Sequence, residues 1–504
     1  MSSNPESMRC VFQVHTDDSV TVALRDIAAG EAFVPGLVAQ VMVPQGHKLA
    51  LRDHAAGDAV IKFGQPIGRA SCAIAAGQHV HSHNLRTALV GEVVYSSGHR
   101  LASRALAYSD NGRSWQGYRR ADGRAATRNE VWILPTVGCV GMTAEQVARE
   151  AQQRHAALIK TGRIDGIHAF AHPHGCSQLG EDLDSTRALL AGLAANPNAA
   201  GVLLLGLGCE SNQLEALVAA VPEAARATLR ILRSQTAGDE LAEAGQLVDE
   251  LVELCASTDR EEMPLSELVV GLKCGGSDGL SGLTANPLLG RFSEVLANAG
   301  GRAVLTEIPE IFGAEQALLD RATSREVFDS AAELINGFKR YYLDQGLPVS
   351  ENPSPGNLAG GITTLEEKSL GAVQKAGRAP LADVIAYGGQ AHAPGVTLLD
   401  APGNDAVSST ALAAAGATIV LFTTGRGTPL GFPVPTVKVA SNHRLAAAKP
   451  HWVDFDAGRL LDEDRAVVDA AFLTRILAIA SGEACAAERG GQRSIAIWKR
   501  GVTL

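Results

Sequence analysis

Gly166-Ile-His-Ala-Phe-Ala-His172-Pro-His174-Gly-Cys176-Ser-Gln-Leu-Gly180, followed by a polar run and then by Gly201-Val-Leu-Leu-Leu-Gly206-Leu-Gly-Cys209-Glu210-Ser-Asn-Gln213, is the stretch from which the fold is read. Each half is a short apolar run that ends in glycine and cysteine. Apolar runs of this length, alternating with helical stretches, read as parallel strands of an α/β sheet. In open parallel sheets, ligands bind at the loops that follow the strands. Cys176, Cys209, Glu210, His172 and His174 fall in such loops.

The pattern recurs outward. Val131-Trp-Ile-Leu-Pro-Thr-Val-Gly138-Cys139 and Leu268-Val-Val-Gly-Leu-Lys-Cys274-Gly-Gly-Ser277-Asp278 also end in cysteine beside glycine. A single cysteine is more often a small buried hydrophobe. Four at equivalent strand ends favour one shared polar site. The glycine- and hydroxyl-rich run after Cys274 lacks the Gly-Lys-Ser/Thr ending of a nucleotide P-loop, so it reads as a small-anion or carboxylate site. Ala303-Val-Leu-Thr-Glu307-Ile-Pro-Glu310 is another strand, ending in carboxylates. Thr423-Thr-Gly-Arg426 repeats the strand-end motif near the C-terminus.

Residues 10 to about 100 differ. Val11-Phe-Gln-Val, Val20-Thr-Val-Ala-Leu, Val60-Ile-Lys-Phe and Ala70-Ser-Cys-Ala-Ile are short runs bounded by turn residues, and predict a small all-β domain. His79-Val-His81-Ser-His83 alternates, so a strand there would set three imidazoles on one face, where they can ligate a divalent metal. His47 and His54 are weaker candidates. Residues 101–117 read as a linker, 118–262 as an α/β domain and 263–504 as a second one. The stretch 213–262 reads as largely helical.

Composition sets the class. The chain has 504 residues, 46% hydrophobic and 19% charged, with a net charge of −10, so no nucleic-acid footprint is expected. No apolar run reaches membrane-spanning length, and Met1–Ser7 lacks a signal pattern. Eight dispersed cysteines suit a reducing compartment, and a cytoplasmic enzyme is expected. The sequence leaves oligomeric state open, a homo-oligomer included.

Several long motifs together resemble one family. They are Gly117-Tyr-Arg-Arg-Ala-Asp-Gly-Arg, Leu134-Pro-Thr-Val-Gly-Cys, His172-Pro-His-Gly-Cys-Ser-Gln-Leu-Gly, Gly206-Leu-Gly-Cys-Glu, Cys274-Gly-Gly-Ser-Asp-Gly-Leu-Ser-Gly, Asn352-Pro-Ser-Pro-Gly-Asn and Thr423-Thr-Gly-Arg-Gly-Thr-Pro. The chain is similar over its whole length to the altronate/galactarate dehydratases, and most similar to the altronate branch. The resemblance implies a β-clip (SAF) domain at residues 1–100, and the strand–helix pattern beyond it reads as two α/β Rossmann-like layers. It implies metal-dependent loss of water from a sugar acid, D-altronate first, giving 2-keto-3-deoxy-D-gluconate. Fe(II) is the implied metal, with Mn(II) as the alternative. The pair Pro173-His174 departs from the altronate pattern, which leaves another aldonate or aldarate, such as galactarate, open. A sulfolactate-type C–S lyase and an iron–sulfur cluster on the strand-end cysteines are the other readings.

The chemistry assigns roles. Removing the proton at C2 needs a base and a cation to hold the enediolate. His172 and His174 are expected as base and acid, with Glu210 as a catalytic carboxylate or a further ligand. His81, His83, Cys176 and Cys209 are expected to hold the metal. Arg128, Ser277, Asp278 and Arg426 are expected to hold the substrate's carboxylate and hydroxyls.

Overall fold

The computed structural model describes residues 10–96 and 112–504. The expected linker therefore lies outside the described residues as far as residue 111. Ser114–Arg119, at its far end, is a strand that pairs antiparallel with Glu261–Pro264.

Residues 10–96 form a β-rich module of short strands. A four-stranded antiparallel sheet carries Val20–Ala23, Lys48–Ala50 and His79–Val80, and a three-stranded one carries Ala59–Lys62 and Gln65–Ala70. The histidine run is a correction to the sequence reading. Its strand ends at Val80, and His81–Asn84 is a turn in which the Asn84 and Leu85 amides donate to the His81 carbonyl at 3.0 and 2.9 Å.

The second unit is built on four parallel strands: β1 (Glu130–Pro135), β2 (Gly166–Ala169), β3 (Ala199–Gly206) and β4 (Leu229–Arg233), in the order β2-β1-β3-β4. β1 and β3 are continuous apolar runs because both faces are covered. Val131, Ile133, Leu203 and Leu205 pack with the helices α1 (Gly141–Arg154) and α2 (Glu240–Ala256). Their alternates Trp132, Leu134, Val202 and Leu204 join the larger core shared with the C-terminal unit. β4 breaks the expected helical stretch. It lies at the sheet edge, partly exposed, so it lacks the uninterrupted apolar run that marks its neighbours.

The third unit has seven parallel strands: β5 (Val269–Cys274), β6 (Arg302–Leu305), β7 (Leu381–Ile385), β8 (Gly395–Leu399), β9 (Ile419–Thr424), β10 (Thr436–Ala440) and β11 (Phe455–Asp456). Their order is β7-β8-β6-β5-β9-β10-β11. Connections from β5 run to one side and those from β9 to the other. The chain therefore parts between these two strands, and a crevice opens at their carboxyl ends. The β-rich module sits over this edge. A Cβ added to Gly279 would lie 1.9 Å from the Gly46 carbonyl oxygen, so only glycine permits this approach. No helix among the described residues is long and apolar enough to cross a membrane.

Candidate active site

The loops after β5 and β9 meet at the crevice. The Gly425 and Arg426 amides donate to the Gly276 carbonyl at 3.0 and 3.1 Å, and Asn357 Nδ2 donates to the Ser277 carbonyl at 2.8 Å. Arg426 is exposed, and its guanidinium has no hydrogen-bonding partner among the described residues. It lines a cavity of about 390 Å³ with Arg444, Lys449, Asp278 and, from the β-rich module, Asp26 and Gln45. Asp278 behaves differently from the expected substrate ligand. Its carboxylate accepts from the Ser281 amide and hydroxyl, the Ser441 hydroxyl and Asn442 Nδ2, all between 2.8 and 2.9 Å, so it shapes the crevice from within.

Four imidazoles of the β-rich module gather at the same seam. Ring centroids of His47, His79, His81 and His83 stand 5.0 to 5.5 Å apart in successive pairs, and His47 Nδ1 lies 3.0 Å from His79 Nε2. His47 joins them because the strand it precedes pairs Leu49 with His79. His81 Nε2 reaches the Leu358 carbonyl at 2.9 Å, and His47 Nε2 the Ala359 carbonyl at 3.3 Å, which docks the cluster on the short helix Pro355–Ala359. Burial, and then repulsion from its neighbours, lowers His79 to about 3. Burial is also the main cause that lowers His47, to about 4, and His81. Imidazoles held neutral are in the state that binds a metal.

Beneath the crevice lies a charged cluster that the sequence reading did not assemble. Cys274 ends β5, and Glu307 follows β6 with a left-handed φ of 66°, a backbone state that a non-glycine residue adopts at a cost. Glu307 pairs with Lys273 and, at 2.8 Å, with Lys375; Glu310 pairs with Lys368 at 2.7 Å; Lys273 also reaches Asp405 at 2.8 Å. The Cys274 thiol lies 2.9 Å from Lys375 Nζ and 3.3 Å from Glu310. Burial, followed by the charge of Glu307, pushes this thiol up to about 12. Cys274, Glu307 and Glu310 have ligand atoms within 4.8 Å of one another, the spacing a metal ion needs. Their carboxylates, however, are already matched by lysines. With Asp405 counted, three carboxylates face three ammoniums, so the cluster is neutral without a cation. The sequence signal for it was available: lysines at 273, 368 and 375 inside otherwise buried segments.

The remaining expected residues lie at the carboxyl edge of the four-stranded sheet. Cys139, Cys176 and Cys209 are there and exposed, while Cys274 belongs to the other sheet, so the four cysteines do not share a site. Glu210 is spoken for. It accepts from Thr136 Oγ1 and the Gly208 amide at 2.6 Å and from the Leu207 amide at 3.2 Å. Burial would raise its pKa, but these donors outweigh it and hold the carboxyl low, which suits a brace between loops better than a proton donor.

His172 has a similar role. It is buried, Nε2 faces the Pro135 carbonyl at 2.8 Å, and Nδ1 accepts from the His174 amide at 3.2 Å. Burial lowers it to about 4. With both ring nitrogens bonded, it ties the β1 and β2 loops together. His172→Gln is expected to keep turnover while lowering the melting temperature, since an unmet buried hydrogen bond costs about 1–3 kcal/mol. A fall in turnover of about 100-fold at unchanged stability would instead mark proton transfer. The His174 ring is half-buried and its nitrogens make no hydrogen bond among the described residues.

Arg128 is corrected outright. Its five donors go to Glu488, Thr127, Ile479 and Glu483 at 2.8 to 3.0 Å, and none is left for a substrate. The expected metal shell is also divided. Among the described residues, no hydrogen bond, ion pair or ring contact joins His81 or His83 to Cys176 or Cys209.

The fold and the crevice define a class: an α/β protein with a β-rich module clamped over the carboxyl edge of a parallel sheet. The sequence comparisons specify it. Residues 9–88 match the altronate/galactarate dehydratase SAF domain, 117–256 the second domain of D-galactarate dehydratase/altronate hydrolase, and 265–503 the C-terminal domain of D-galactarate/altronate dehydratase. The chain belongs to the D-galactarate/altronate dehydratase family. It is 47% identical to the altronate dehydratase of Bacillus subtilis (strain 168), over 99% of this chain and 100% of that one. It is 46% identical to the altronate dehydratase of Escherichia coli (strain K12), over 98% and 99%. The galactarate dehydratase (L-threo-forming) of the same strain is 31% identical over 94% of this chain and 93% of its own length.

Proposed function

We propose that this chain is a hydro-lyase that converts D-altronate to 2-keto-3-deoxy-D-gluconate and water. The observation that carries the reading is the open Arg426 guanidinium, set where β5 and β9 part and against the same short helix, Pro355–Ala359, on which the imidazole cluster docks. A guanidinium suits the C1 carboxylate of a sugar acid. The Ser277 hydroxyl, in the facing loop, is assigned to a substrate hydroxyl. In the reaction the C2 proton leaves to a base, the C3–O bond breaks, the oxygen departs with a proton as water, and the enol left behind tautomerises to the 2-keto acid. His174 is assigned as the acid–base group from the second edge, since its ring is free to exchange protons.

His47, His79 and His81 are held neutral beside His83, and nitrogen donors suit a divalent cation, Fe(II) first and Mn(II) second, although no three of the four have ligand atoms within 4.8 Å of one another. His83 would hold it together with His81 through Nδ1, which would give up the Ser82 hydroxyl at 3.0 Å while Nε2 stays on the Leu358 carbonyl, with His47 and His79 behind them. When bound it supplies a positive charge for the enediolate. The domain division 1–100, 101–117, 118–262 and 263–504 goes with this reading and is supported by the matched family segments. Eight unpaired cysteines support a cytoplasmic setting.

A panel of hexonates and hexarates with added Fe(II) or Mn(II), read by 2-keto acid formation, tests the substrate. D-altronate is expected to be the best. Chelation is expected to abolish activity and Fe(II) to restore it. His81→Ala and His83→Ala are each expected to lower metal content and activity together with the fold kept. Full activity in metal-free protein would remove the cation from the reading, and absence of 2-keto acid from every member would remove the dehydratase. Sulfite released from sulfolactate would favour the C–S lyase.

A further inference from the structure

Three cysteines have no part in the function proposed above, yet they are arranged as a set. Cys139 follows β1, Cys176 follows β2 and Cys209 follows β3, all at the carboxyl edge of the four-stranded sheet. β1 connects to β2 on one side, and β3 lies on the other side of β1, so Cys139 and Cys209 flank the parting point of this sheet as well. All three are exposed, whereas Cys255, Cys274 and Cys485 are buried in the usual manner of structural thiols. Cys139 and Cys176 line one cavity of about 570 Å³ with His172.

The loops that carry them are tied into one body. The Gly138 amide donates to the His174 carbonyl at 2.9 Å, the Asn212 amide to the Gly175 carbonyl at 3.0 Å, and Asn212 Nδ2 to the Thr136 carbonyl at 3.3 Å. Gly175 has φ 100°, and a Cβ there would lie 2.0 Å from the Thr136 oxygen. Only glycine lets the Cys176 loop come this close to the Cys139 loop. The thiols themselves are little engaged. Cys209 Sγ lies 3.5 Å from Gln235 Nε2 and Cys176 Sγ 3.8 Å from the Ser177 hydroxyl.

Spacing argues against a single ion. One tetrahedral ion with sulfur at about 2.3 Å would need its sulfurs roughly 3.8 Å apart. The three thiols do not stand within 4.8 Å of one another; among the described residues only Cys274, Glu307 and Glu310 form such a group. Cysteine thiolates are the residues that hold iron–sulfur clusters, and these three stand on loops bonded directly to one another. We infer that Cys139, Cys176 and Cys209 bind a four-iron iron–sulfur cluster, three irons taking a thiolate each and the fourth left open to an oxygen ligand. The C-terminal tail links this edge to the one with Arg426. Asp182 accepts from the Arg500 and Gly501 amides at 2.8 and 2.9 Å, the Leu504 amide donates to the Ser177 carbonyl at 3.1 Å, and Arg500 reaches Asp400, just past β8, at 3.9 Å. The inference rests on the thiols and uses the proposed function only to name the open iron's ligand, a sugar-acid oxygen.

The test is anaerobic purification of the full chain, with iron and acid-labile sulfide measured, visible absorption recorded, and electron paramagnetic resonance taken after dithionite. Protein isolated empty is reconstituted with Fe(II), sulfide and a thiol reductant. About four irons and four sulfides per chain are expected. Cys139→Ser, Cys176→Ser and Cys209→Ser should each lose most of the sulfide and the visible band, and Cys72→Ser should keep both. In the unaltered protein, the three thiols should resist alkylation until the cluster is stripped, which peptide mass analysis reads without any variant. Iron without sulfide, zinc in its place, a disulfide among the three, or a cluster that survives the serine variants would overturn the inference. His81→Ala should leave the sulfide content intact. Cluster-free protein that dehydrates D-altronate would overturn this inference and leave the proposed function standing; cluster-bearing protein that dehydrates no sugar acid would do the reverse.

Discussion

Glu367→Gln is expected to lower the unfolding free energy by about 3–5 kcal/mol, the cost of leaving a buried charge without its partner. Glu367 sits in the helix Leu365–Ala372, beneath the β-rich module. Its carboxylate accepts from Lys62 at 2.7 Å, Lys48 at 2.8 Å, the Thr363 hydroxyl at 2.7 Å and the Thr363 amide at 2.9 Å. Both lysines come from the module, and all three side chains are at most 2% exposed. Glutamine keeps the shape and removes the charge, so two buried ammoniums would face each other. One carboxylate already serves two cations, and burial with the charge of Lys62 pushes Lys48 down to about 8.

The pH dependence follows in sign. Burial alone would raise the carboxyl of Glu367, but Lys48 and Lys62 outweigh it and hold it well below its ordinary 4.5. A depressed carboxyl contributes its full stability above the unfolded value and loses it as pH falls towards the folded one. Unaltered protein should therefore lose stability below about pH 5, and Glu367→Gln should lose less over that range. Denaturant unfolding at several pH values checks both points. Hydrogen exchange should show Val20–Ala23 and Lys48–Ala50 opening first. A variant within about 1 kcal/mol of the parent would mean that water enters the seam and that the module is held by other contacts.

Arg426→Ala is expected to lower kcat/KM for D-altronate by roughly 10- to 150-fold, since a hydrogen bond to a charged group contributes about 1.5–3 kcal/mol. The melting temperature should not move, because the guanidinium is exposed and bonds nothing in the fold among the described residues. Arg426→Lys should recover part of the loss. An ammonium keeps the charge but not the planar fork that meets a carboxylate with two bonds. Unchanged steady-state kinetics in Arg426→Ala would send the carboxylate elsewhere in the same cavity, with Arg444 the next residue to change.

The cysteines and histidines show where sequence reading succeeds and where it stops. Cys139, Cys176 and Cys209 were recognisable as strand-end residues because an apolar run followed by glycine is a local pattern. That Cys274 ends a strand of a different sheet was not, since strand order is set by pairing across long separations. Alternation brought His81 and His83 to notice, but the chain turns after Val80, and His47 arrives from 32 residues away. Arg128 read as a free cation until its five donors were counted in the fold.

What the sequence determined by itself was the class: parallel α/β units behind a small β-rich module, each strand ending in a polar loop, and the family those motifs belong to. These follow from hydrophobic period and glycine placement, which act over a few residues. Tertiary structure alone decided which polar groups are spent on the fold and which stay open. Glu210, His172 and Asp278 looked reactive and spend their polar atoms on bonds within the fold; Lys273, Lys375 and Glu307 carried no motif and belong to a buried neutral cluster. The physical reason is that a side chain's chemistry depends on its desolvation and on its partners, and both are supplied by residues far away in the chain.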